Sequence, residues 1–264
     1  MSDKRRIAID LEKLADALPP AHSPLAGKIR RCRDTHAVHS DLMHAAEMVD
    51  SVGPAFEAAQ GGTAWAQKAV PALMHNAIIL YARATHSGSD HRSRINLTRH
   101  FDADQMALHD RLVALRNDAL AHYGPGEITG GFAWNEERLV IALGHPNQGR
   151  VMAASRRVGY APYLPSQMAT HIAQVLISAT REVERRDAEL VTALNGGILA
   201  SGDVFDMAMQ HTIDIGEMFG SHPAAALLDE DRSGAHTEII WGPMVQPAAA
   251  SPDGETEASQ AHAG

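Results

Sequence analysis

The stretch from Ser166 to about Leu194 sets the tightest limit on what this chain can become. Met168, Ile172, Val175, Leu176, Ala179, Val183, Leu190 and Leu194 recur at the period of an α-helix with one buried face. The charged series from Arg181 to Glu189 reads as its solvated side, and Glu182 precedes Arg186 by the four residues that favour an ion pair. At a rise of about 1.5 Å per residue such a helix is roughly 40 Å long, and its apolar stripe needs other long elements to cover it. Asn195-Gly196-Gly197 predicts its end.

Those elements lie upstream. Ile29, Val38, Leu42, Met43, Ala46 and Val49 predict a helix from about Leu25 to Val52, with a break at Gly61-Gly62. Trp65, Val70, Leu73, Ala77, Ile78, Leu80 and Tyr81 predict a second, from Ala64 to about Thr85; Pro71 either kinks it or opens a new helix. Asp102 or Asp104 suits the cap of a third. Along it Leu108, Leu112, Leu115, Ala119 and His122 follow a 4-3-4-3 spacing, and Gly124-Pro125 forbids continuation.

Between these helices and the long one the pattern changes. Gly131 to Trp134, Arg138 to Leu143 and Arg150 to Ser155 are short apolar runs divided by turn residues, which predicts a small antiparallel β-meander. Ile7 to Leu18 is a short amphipathic segment stopped by Pro19-Pro20, and a weaker helix is expected over Asp203 to Phe219. From about Leu228 the chain carries too little apolar content to order itself. The expected map is an N-terminal arm (1–24), a helical domain (25–200) with a β insertion at about 127–160, an added helix (201–225) and a largely disordered tail (226–264).

Composition excludes several classes of function. The formal net charge of −9 argues against a surface coated in nucleic acid, although a local basic groove is compatible with it. Two such clusters exist: Lys28-Ile29-Arg30-Arg31-Cys32-Arg33, and Arg83, Arg92, Arg94 and Arg99 against the single acid Asp90. The first can touch phosphate or be a solvated helix face; the second is a local excess that directly precedes the helix beginning near Asp102. One cysteine, Cys32, permits no internal disulfide and no Cys-based zinc cluster. The sixteen histidines include no His-Glu-x-x-His pair, so no metal site is expected, and no phosphate-cradling or dinucleotide glycine motif implies a cofactor. With no signal-peptide core and no membrane-spanning run, a cytoplasmic chain is expected.

An arginine followed after four to six residues by a histidine occurs six times, beginning at Arg30, Arg31, Arg33, Arg94, Arg116 and Arg138, so spacing alone identifies nothing. Context singles out Arg116. Arg116-Asn117-Asp118-Ala119-Leu120-Ala121-His122 closes an apolar-striped helix before a glycine stop, and a long helix follows. This stretch resembles the motif of the HEPN domains, in which Arg, a polar residue and then His stand near a helix end in a compact helical bundle. Outside the motif the resemblance is one of helix order, over about Leu25 to Leu194 with the β-meander as an insertion.

The resemblance implies a mainly α, HEPN-like helical bundle and, for the active members, a metal-independent endoribonuclease of toxin–antitoxin or phage-defence type. It implies a homodimer in which Arg116 and His122 of two subunits meet on an RNA substrate, and an antitoxin or regulatory protein as a further partner. The chemistry is consistent with that. Histidine titrates near neutrality and can move protons at the 2′-hydroxyl or the leaving oxygen, and a guanidinium can hold two phosphate oxygens. Arg116 and His122 are the expected catalytic pair. Asn117, Asp118 and Tyr123 are the expected substrate-binding or positioning residues, Asp118 orienting the imidazole. In family members silenced by modification, the modified tyrosine stands two residues after the histidine; Gly124 occupies that position here. The alternatives are a catalytically inactive HEPN-like module that binds a nucleotide or a protein, and a helical scaffold in which the pair is coincidental.

Overall fold

The computed structural model describes residues 7–86, 92–121, 125–126, 128–129, 132–141, 151–158, 160–200 and 202–214. The chain is mainly helical, with a small antiparallel β insertion. Three long helices make the body: α2 (Ser23–Gln60), α3 (Ala64–Thr85) and α5 (Leu164–Ala200), with α1 (Leu11–Ala17) before them, α4 (Ala103–Ala114) between and α6 (Gly202–Gln210) after.

The middle of the bundle is α2, which packs along both α3 and α5. It runs eight residues beyond the expected Val52, straight through Pro54. Gly53 and Pro54 are exposed while Val52 and Ala55 are buried. Burial on the inner side outweighs the hydrogen bond that proline removes from the solvent side. Pro71 likewise lies inside a single α3. Gly62, at φ 85°, supplies the left-handed residue that turns α2 into α3. One core joins Val38, Leu42 and Val49 of α2, Met74, Ile78 and Tyr81 of α3, and Met168, Ile172 and Val175 of α5.

The expected end of α5 at Asn195-Gly196-Gly197 does not occur. A second core holds this end of the helix, joining Leu14 of α1, Leu25 and Ile29 of α2, Leu190 of α5 and Val204 of α6. A glycine costs a helix only about 1 kcal/mol, less than burying the side chains around it returns. The weaker helix is shorter than expected, and after it β6 (Thr212–Asp214) pairs antiparallel with β1 (Ile7–Ile9). The N-terminal segment is thus a strand and a helix fastened to this second core. The residues after 214, including the expected tail, lie outside the described residues.

The β insertion is two hairpins in place of one continuous meander. β2 (Ile128–Thr129) pairs with β3 (Phe132–Ala133), and β4 (Asn135–Ile141) with β5 (Val151–Arg157). Trp134, 1% exposed, anchors the insertion in the main core, and its carbonyl accepts from the Val158 N–H at 2.7 Å. Beyond that anchor, Leu139, Ile141 and Val151 are exposed. Among the described residues no helix is long and apolar enough to cross a membrane.

Candidate functional site

The helix carrying the Arg116 motif is built with a marked start. The Asp102 carboxylate accepts from the Gln105 N–H at 2.8 Å, and the Gln105 side chain accepts from the Asp102 N–H at 3.0 Å. This reciprocal box chooses between the two expected caps. The far end departs from expectation. After Ala114 the winding widens, and Leu115–Ala121 form a π-helix. The apolar stripe steps with it: Leu115 is buried, and Leu120, five residues on, packs against the main core. The expected spacing holds from Leu108 to Leu115, and Leu120 adds a contact five residues on; the Ala119 side chain and His122 lie outside the described residues.

Within the π-helix Arg116 and Asn117 are half-buried and Asp118 is exposed. An Arg116 Nη1–H donates to Asn117 Oδ1 at 2.8 Å. Among the described residues no carboxylate pairs with Arg116. His122, Tyr123 and the Gly124 stop lie outside the described residues.

A second polar cluster, unforeseen in the sequence, sits inside the bundle. Tyr81 of α3 lies between His109 of α4 and His171 of α5, its hydroxyl 3.0 Å from His109 Nδ1 and 2.7 Å from His171 Nε2. One hydroxyl proton serves one imidazole and the oxygen accepts from the other, so two neutral rings satisfy the cluster. Phe101 packs edge-on against both rings, with centroids 5.6 and 5.1 Å away. Burial pushes His171 down to about 4, helped by the nearby His109, and pushes the Tyr81 phenol well above its ordinary value. Burial lowers His109 as well. A signal existed: His171 occupies the apolar stripe between Met168 and Val175, and His109 lies three residues before Leu112. His171 also reaches the floor of an open groove of about 630 Å³ between α4 and α5, rimmed by Asp104, Arg111, Gln167 and Gln174.

A third cluster fastens the basic segment after α3 to α2. Asp41, 6% exposed, accepts from Arg83 Nε at 2.9 Å and from Arg92 Nη1 at 2.6 Å. Asp34, 3% exposed, accepts from the Ser93 backbone N–H at 2.9 Å and from Arg33 at 2.7 Å. Burial works against the Asp34 carboxylate, yet the Ser93 and Arg33 bonds hold its pKa below the usual value. The two basic clusters noted in the sequence are thereby brought to one place.

Among the described residues, Cys32, His36 and Asp187 bring three possible ligand atoms within 4.8 Å of one another. They already bond among themselves: the Cys32 thiol donates to Asp187 at 3.0 Å, and His36 Nε2 stands 2.8 Å from the same oxygen. Burial and the Asp187 bond push the thiol up to about 12, so it is a neutral donor to Asp187. The set reads as a polar link between α2 and α5.

No protein-family model, curated protein or solved structure matches the chain.

Proposed function

We propose that the chain is a metal-independent endoribonuclease of HEPN type, in which Arg116 holds and neutralises the scissile phosphate and His122 moves the proton. The observation that carries this reading is the π-helix over Leu115–Ala121. A π-helix is rare and is frequently found at functional sites. Here it presents Arg116 with no carboxylate partner among the described residues and with Asn117 braced against the guanidinium. An arginine in that state keeps most of its donors for an anion.

On this reading the 2′-hydroxyl attacks the adjacent phosphorus, the 5′-oxygen leaves, and the product ends in a 2′,3′-cyclic phosphate. Two subunits contribute Arg116 and His122 to one cleft, with Asn117 positioning the guanidinium. Asp118 and Tyr123 border the substrate. The test is incubation of a labelled RNA with the purified protein in excess chelator, with analysis of the product ends. Cyclic phosphate ends are expected. Intact RNA in the presence of a folded dimer free of any partner protein would favour the inactive binding module instead.

A further inference from the structure

Three segments far apart in sequence converge on a pocket of about 210 Å³ away from the motif helix. Helix α2 contributes Arg31, the segment after α3 contributes Arg94, Arg99 and His100, and α5 contributes Arg185 and Arg186. Two carboxylates also line it, Asp34 and Glu182. Both are committed. Asp34 is held by Arg33 and the Ser93 N–H, and Glu182 accepts from both Arg185 and Arg186, with Glu189 completing that network. Arg31, Arg94 and Arg99 are left with no carboxylate partner among the described residues, Arg99 donating only to His100 Nε2 at 2.8 Å.

Three guanidiniums with no carboxylate partner among the described residues, around one small space in a protein of net charge −9, form a focused positive potential. The space is also shaped in advance. Asp41 pins Arg92, Asp34 pins Ser93, and Leu97 is 3% exposed, so the segment bearing Arg94 and Arg99 is fixed before any ligand arrives. Ligand ordering then costs little. The volume holds about seven waters at roughly 30 Å³ each. That suits one tetrahedral oxyanion and is too small to enclose a nucleoside as well.

We propose that this pocket binds a phosphate group of a small ligand, either free phosphate or a terminal phosphate monoester whose remainder lies outside the pocket. Guanidinium forks match its oxygens in pairs, and several at once favour a dianion over a singly charged diester. The site goes beyond the nuclease reading and does not depend on it, because binding is measured without cleavage.

The experiment is isothermal titration of the full chain with inorganic phosphate, adenosine 5′-monophosphate and a short hydroxyl-ended oligoribonucleotide, each against chloride at matched ionic strength. Saturable binding of phosphate is expected; markedly tighter binding of the monophosphate would assign a monoester source. Arg94→Ala/Arg99→Ala, at two exposed positions, should weaken binding at least about tenfold. Arg30→Ala, which removes a surface arginine paired with Asp16 outside the pocket, should leave it unchanged. Circular dichroism keeps the comparison to folded proteins. No saturable heat with phosphate or the monophosphate, or equal weakening by Arg30→Ala, would overturn the proposal. So would an oligoribonucleotide that binds more tightly than either and loses that binding in the double variant, since the pocket would then read a polymer backbone.

Discussion

The Tyr81–His109–His171 cluster and the Arg31–Arg94–Arg99 pocket are both polar assemblies drawn from three separate parts of the chain, but they are finished differently. In the first, every polar atom at the meeting point has a partner inside the protein, and Phe101 packs against the imidazoles. In the second, the carboxylates are consumed by other arginines and the donors that remain face a small open space. A polar group sealed with its partners contributes to stability, whereas one fixed in place without them is available to a ligand. On the proposed reading, Arg116 in its π-helix belongs with the second kind.

Substitution of the sealed cluster should give the largest effect. Tyr81→Ala is expected to cost about 3–5 kcal/mol in urea denaturation, as a fully buried ring is lost from the main core. Tyr81→Phe should cost about 1–3 kcal/mol, the penalty for a buried imidazole left without its partner. Equal and small losses for both would mean that the cluster is not sealed.

Acid should act next, through the sealed cluster. His171 is held neutral in the folded chain down to about 4, whereas the unfolded ring takes a proton near 6.5. Between those values the unfolded state binds the proton first, so stability is full above about 6.5 and falls as pH drops toward 4, by about 3 kcal/mol for this one ring. Denaturation midpoints measured across that window should flatten in His171→Leu. An unchanged slope would take His171 out of the account.

The Asp41 clamp, which fastens the segment after α3 to α2, should give a smaller loss. Asp41→Asn is expected to cost about 2 kcal/mol, because Arg83 and Arg92 lose a charged acceptor. It should also weaken phosphate binding without touching the pocket wall. The smallest effect on stability belongs to Arg94→Ala/Arg99→Ala, within about 0.5 kcal/mol by thermal or urea denaturation. A large loss there would show these arginines to be structural and would erase the distinction between the regions.

The sequence made the helices legible and left their ends obscure. Regular burial on one face announces α3 and α5, and the Asp102 cap announces α4. Pro54 and Gly196-Gly197 misled because tertiary burial at Val52, Ala55 and the second core overrode local preference. The π-helix was hidden for a related reason: Leu115 and Leu120 choose a five-residue step only once the core they meet is in place. Of the candidate site, Arg116 and Asn117 were legible as a motif. The arginine pocket was not, because its walls come from residues near 31, 94 and 185 that no local pattern relates.

The most direct test of the nuclease reading is the rate of labelled-RNA cleavage in chelator by wild type, Arg116→Ala and His122→Ala, each verified as a folded dimer. Loss of roughly a hundredfold or more in both variants, with cyclic phosphate ends from the wild type, is the expected result. Equal cleavage by all three would place the activity elsewhere and contradict the reading of Arg116.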